Sequence, residues 1–119
     1  MNVEISEITL PVETQVKIEL TLTAQLKVTH TTAQRQVSKL LLDQVGNLLY
    51  GEHPSLVAGQ RLVWRVPVWL GLPSIGAVGQ VGALDVDAQT GEILYTQQSL
   101  DEFAERGNVL AQRATSQTK

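Results

Sequence analysis

Between Arg61 and Tyr95 the chain reads RLVWRVPVWLGLPSIGAVGQVGALDVDAQTGEILY, with apolar residues recurring at alternate positions. Successive side chains of a strand point to opposite faces, so this pattern asks for a sheet with two unlike faces. Leu62, Trp64, Val66, Val68 and Leu70 share one face, and Val63, Arg65, Pro67 and Trp69 share the other. Pro67 has no N–H to give to a ladder, which predicts an edge strand or a bulge there. A loop over 71–76 leads to a second run, 77–87, with Val78, Leu84 and Val86 on one face and Ala77, Gly79, Val81 and Ala83 on the other. Asp87-Ala88-Gln89-Thr90-Gly91 is a turn with Gly91 where a left-handed residue is needed, and 92–96 returns as a last strand. Such short connections favour a meander.

Helical spacing appears on either side of this region. Thr31-Thr32-Ala33-Gln34 fits a capping box, and Ala33, Val37, Leu40, Leu41, Val45, Leu48 and Leu49 follow as one stripe. The pattern predicts a helix over 31–49, with Gly46 as a kink or close contact and Gly51 and Pro54 as the stop. Ser99-Leu100-Asp101-Glu102 opens a second helix that buries Leu100, Phe103, Ala104, Gly107, Leu110 and Ala111. Residues 2–10 read as a short leading strand. Residues 13–28 fit both periods, and the helical reading is preferred because an unbroken strand of that length is rare. The expected fold is α+β: a three- or four-stranded antiparallel meander with helices packed on one face. Residues 1–113 form a single domain, and 114–119 form a flexible tail.

At 119 residues, 43% hydrophobic and 18% charged, the chain has the makings of one globular domain with an aliphatic core. It has no cysteine, which excludes disulfides, thiolate metal sites and cysteine nucleophiles. The net charge of −3, with its basic residues scattered, argues against direct nucleic-acid binding. The acidic start MNVEISEITLPVE has no secretory pattern, and no run approaches the ~20 apolar residues of a membrane span. A cytoplasmic location without membrane attachment is expected.

Candidate chemistry is sparse. Asp85, Asp87 and Glu92 imitate the opening of a calcium loop, but Thr90 stands where its glycine belongs and Thr96 where its closing glutamate belongs. Hairpin residues account for the same letters, so no metal is expected. Gly76, Gly79 and Gly82 match no phosphate-loop pattern; packing of the 31–49 helix against Gly79 and Ala83 is the plainer use. His30 and His53 stand beside helix and turn boundaries with no ligand or triad spacing, and are expected to be exposed loop histidines. No catalytic set and no cofactor motif is present, so a non-enzymatic role is expected. An enzyme would need a site assembled across the fold. Trp64 and Trp69 point to opposite faces of their strand. They either both cover the core, one beneath each helix, or leave one of them at an interface. On the second reading the candidate interface is Arg65, Pro67, Trp69, Leu72 and Pro73, facing a protein partner or a second copy of the chain.

WRVPVWL at 64–70 and LDVDAQTGEIL at 84–94 resemble PepSY-like domains, small α+β modules with a helix laid on an antiparallel sheet. That family ends a strand in a Val-Asp-Ala-x-Thr-Gly-x-Val/Leu turn. The resemblance covers about a third of the chain and implies a PepSY-like or cystatin-like fold. It also implies a peptidase-linked, extracellular role, from which the absence of a signal peptide here departs. A ligand-binding version would hold a small apolar molecule between helix and sheet, in a cavity lined by residues such as Leu41, Val66 and Leu84. The whole chain is also similar to small intracellular bacterial proteins, some of them members of toxin–antitoxin-type gene pairs. That similarity implies an antitoxin-like role against a basic partner.

Overall fold

A computed structural model describes residues 2–5, 8–11 and 27–117. Strands β1 (Asn2–Ile5) and β2 (Ile8–Pro11) pair antiparallel. Helix α1 (His30–Gln44) follows, then β3 (Leu49–Gly51), β4 (Ser55–Ala58), β5 (Leu62–Leu72), β6 (Gly76–Asp87) and β7 (Ile93–Leu94). Helix α2 (Gln97–Gln117) closes the described chain. The fold is α+β. The strands from β3 to β7 are joined antiparallel, β4 to β7 as a meander of nearest neighbours. The sheet is wider than the three or four strands expected. The β1–β2 hairpin adds to it through a parallel pairing of β1 with β4, and β3 also pairs with β5. The ambiguous stretch at 13–28 lies outside the described residues up to position 26.

Pro67 does not mark an edge. β5 is central, with β6 on one side and both β3 and β4 on the other. β3 faces the C-terminal half of β5 and β4 the N-terminal half, so Glu52-His53-Pro54 interrupts what would otherwise be one long strand. The Glu52 N–H donates to the Pro67 carbonyl across this break at 2.8 Å. The N–H and C=O of a strand residue point to the same side. The donor that proline lacks would therefore have faced the interruption, where no regular ladder asks for it. The other half of the expectation is met, because the register of β5 on β6 shifts after Val68 and again after Leu70. Both extra residues, Val81 and Val78, belong to β6. The first shift swings Val81 into the core, 3% exposed, against the face that strict alternation predicts for it.

Both helices lie on the Leu62–Trp64–Val66–Val68–Leu70 face. From α1, Ala33, Val37 and Leu41 are buried there, one turn apart. Fully burying an aliphatic side chain of this kind is worth ~1.5–3 kcal/mol. α1 sits close on β3, where a Cβ on Gly51 would meet the Gln34 carbonyl at 3.2 Å and Ser38 Oγ at 3.4 Å, besides Val66 Cγ1 of β5 at 2.8 Å. The Gly51 backbone is bonded by helix side chains: Ser38 Oγ accepts from its N–H at 2.9 Å, and Gln34 Nε2 donates to its carbonyl at 3.1 Å. α2 covers β6 through Leu100 and Phe103. The glycines it needs are Gly82, where a Cβ would collide with the Phe103 ring, and Gly79, beside Leu110. The first helix, expected against Gly79 and Ala83, lies instead mainly over β3 and β5, and Ala83 is exposed on the other face, paired with Pro67.

The helix limits shift from those expected. α1 is capped by Thr29, whose Oγ1 accepts from the Thr32 N–H at 3.1 Å, two residues before the predicted capping box. It ends at Gln44, where the Val45 and Gly46 N–H groups converge on the Leu41 carbonyl, both at 2.9 Å. Gly46 therefore terminates the helix rather than kinking it, and Leu49 becomes strand. α2 begins three residues before the predicted box. Thr96 Oγ1 accepts from the Ser99 N–H and Ser99 Oγ from the Thr96 N–H, both at 3.1 Å. It runs through Gln117, past Arg113 where the apolar pattern fades, with the Thr115 hydroxyl bonded back to the Ala111 carbonyl.

Candidate interaction surface

With both described helices on one side, the opposite face of β5 carries no helix among the described residues. Residues directly paired across an antiparallel ladder share a face. Trp69 pairs with Tyr50, Pro67 with Ala83 and Arg65 with Asp85, so these six side chains lie together. Their burial matches the placement. Pro67, Trp69 and Tyr50 are half-buried and Arg65 and Ala83 are exposed, between fully buried Val66 and Val68 that point the other way. The Tyr50 ring leans over Gly71, where a Cβ would stand 3.1 Å from Cε1. Burial pushes the Tyr50 phenol above its ordinary pKa, and the Glu52 charge adds to the rise. Tyr50 therefore stays a neutral hydroxyl at physiological pH.

Arg65 meets Asp85 side-on, Nε to Oδ1 at 3.0 Å and Nη2 to Oδ2 at 3.2 Å. The fork geometry holds both groups flat and cancels their charges locally. Leu72 and Pro73, at the end of β5, line a shallow depression of about 370 Å³ with Leu48, Tyr50, Gly71 and Ala77. The five residues singled out in the sequence are therefore arranged along one strand. Pro67 and Trp69 lie on the open face, Leu72 and Pro73 at its end next to Tyr50, and Arg65 further along, engaged with Asp85. Leu48 was missed because it continues the spacing of the preceding helix, and Tyr50 because its strand neighbour, Trp69, lies about twenty residues away.

The other candidates have structural places. Trp64 is 2% exposed, and its indole N–H donates to the Val28 carbonyl at 2.7 Å, fixing the chain as it enters α1. The two tryptophans thus divide, one in the core and one on the open face. His30, the first residue of α1, is exposed, with its ring tilted over Trp64 at a centroid distance of 6.0 Å. His53 is exposed in the break between β3 and β4. Asp87 is a turn residue: Oδ1 accepts from the Gln89 and Thr90 N–H groups at 2.8 and 3.0 Å, and Arg61 approaches Oδ2 at 3.5 Å. These backbone donors first, and the Arg61 charge after them, hold its carboxyl below the usual aspartate range against the opposing effect of burial. Gly91 closes that turn at φ 82°, a left-handed conformation glycine adopts without penalty.

Leu41, Val66 and Leu84, expected to line a ligand cavity, are at most 3% exposed and belong to one packed cluster. Space between helices and sheet opens elsewhere, as a groove of about 280 Å³ where Val45, Leu49 and Leu70 meet Ala104, Gly107 and Ala111. No helix among the described residues is long and apolar enough to cross a membrane. No protein-family model matches the chain, and neither a curated protein nor a solved structure gives a significant match.

Proposed function

We propose that this chain is a non-enzymatic protein-interaction module, of the antitoxin-like kind, that holds a basic protein partner against the open face of its sheet. The observation that carries the reading is the half-exposed Trp69, set between Pro67 and Tyr50 on a face that neither helix covers. Tryptophan and tyrosine are enriched among the residues that dominate binding energy, because a rigid ring buries much area at small entropic cost. The Arg65–Asp85 pair is already neutralised, so the contact patch itself suits an apolar surface rather than a charged one. The overall charge of −3 acts at longer range and favours the approach of a basic protein.

Affinity capture from the native lysate, with wild type, Trp69→Ala and Leu42→Ala run side by side, tests this. Leu42 is 57% exposed on α1 and is the matched apolar control. The expected result is a basic partner retained at fixed stoichiometry by wild type and Leu42→Ala and lost by Trp69→Ala. Recovery of the bare chain alone, or equal retention by all three, overturns the proposal.

A further inference from the structure

A second surface lies along the flank of the C-terminal helix, next to Gln80, the residue that pairs with Trp69 across the ladder. Among the described strands, the outer edge of β6 is paired only by β7, and only at Asp85 and Val86. Over the rest of that edge α2 overhangs the strand. Arg106 reaches down to donate from Nη1 to the Val81 carbonyl at 2.8 Å, and Gln80 Nε2 donates to the Gly82 carbonyl at 3.0 Å. These side chains and the bulge at Val81 stop a foreign strand from zipping onto the edge. What remains is a groove of about 560 Å³ along the flank of α2, lined by Gln80, Glu102, Glu105, Arg106, Val109, Leu110 and Arg113, with Glu102 and Arg106 paired within the helix at 3.5 Å.

The order of residues along this flank is informative. Glu102, Arg106, Val109 and Arg113 follow one another at helical spacing and so form one stripe. It is acidic at its N-terminal end, basic at its C-terminal end and apolar near the middle, where Val109 is 42% exposed. Reversing the stripe and laying it against itself sets Glu102 opposite Arg113, and Arg106 opposite Val109. The Glu102–Arg113 ion pair then forms twice, once on each side of the axis, as a two-fold interface requires. An unrelated partner would need to carry this sequence of charges by coincidence. A second copy carries it by symmetry.

We infer that the chain forms a homodimer through this flank, with the two α2 helices antiparallel across a two-fold axis beside Val109. Glu102 of each copy meets Arg113 of the other, and each Val109 enters the groove of the opposite copy beside Leu110 and Gln80. The sheets lie edge towards edge without fusing, because Arg106 keeps the Val81 carbonyl.

Sedimentation equilibrium on the full chain tests this, with Glu102→Arg, Arg113→Glu and the double reversal compared with wild type. Wild type is expected to be a dimer. Each single reversal brings like charges together twice and should raise the dimer dissociation constant by about tenfold or more, while the double reversal restores it. The Trp69→Ala variant should remain a dimer, which separates this inference from the proposed function. A monomeric wild type at concentrations up to ~1 mM, a weak-dimer limit by affinity arithmetic, overturns the inference. So does a dimer indifferent to the single reversals, a double reversal that stays monomeric, or a dimer broken by Trp69→Ala.

Discussion

At the scale of single residues, Asp87 and its neighbour tie the fold together. Asp87 holds the turn by accepting two backbone N–H bonds, while Ala88 accepts from the Lys27 and Val28 N–H groups, both at 3.0 Å, and donates to the Leu62 carbonyl. The turn was legible in the letters Asp-Ala-Gln-Thr-Gly, because local side-chain to backbone bonding is written in local sequence. The attachment of residues 27–28 to Ala88 was not, because nothing near either partner announces a contact sixty positions away. Replacing Asp87 with Ala should cost ~1–3 kcal/mol, the penalty for leaving two partly buried donors without this acceptor, as read from denaturant unfolding at neutral pH. Its folded-state pKa is depressed, so its contribution is complete above the unfolded carboxylate value and is lost as pH falls through the folded one. The stability gap between wild type and Asp87→Asn should therefore narrow in acid. A gap that stays constant down to pH ~2, well below the ordinary aspartate range, would contradict this account of the carboxylate.

Gly82 and Gly59 make a paired test at the same scale. A Cβ at Gly82 collides with Phe103, whereas one at Gly59 meets nothing within 4 Å. Gly82→Ala should lower stability by ~1–3 kcal/mol through overpacking, and Gly59→Ala should be neutral or slightly stabilising. Thermal melts of the two variants check the contrast. The sequence marked Gly79 and Gly82 as positions of close approach. It did not show which helix arrives, since either amphipathic stripe would fit.

At the scale of elements, the alternation along β5 carried through and the helix limits did not. Thr29, Thr31, Thr32, Thr96 and Ser99 can each cap a helix, and local chemistry does not rank them. Leu48 and Leu49 satisfy the helical period of α1, yet Leu49 pairs with Leu70 in the sheet. Long-range pairing outweighed local spacing there. Pro67 was legible as a disturbance but not as a central strand residue, because the interruption that accommodates it is contributed by Glu52-His53-Pro54. Thr96→Ala removes the acceptor for the Ser99 N–H and half of the reciprocal cap. It should cost ~1 kcal/mol and increase fraying in the first turn of α2, as read by amide exchange at Ser99. An unchanged exchange rate would mean that water replaces the cap without loss.

At the scale of the whole molecule, the described helices are arranged on one side. They bury one face of the sheet and do not cover the other, with Tyr50, Pro67 and Trp69, the face on which the proposed function rests. The sequence marked Pro67 and Trp69 through their place on the second face of an alternating strand. It missed Tyr50, which joins the face only once β3 folds back on β5. The most direct measurement is calorimetric titration of the purified partner into wild type and Trp69→Ala, with thermal melts of both. The account predicts at least tenfold weaker binding for the variant at an unchanged melting temperature, as the loss of a central aromatic anchor requires. Equal affinities, or a loss of binding that merely follows a loss of stability, would contradict it.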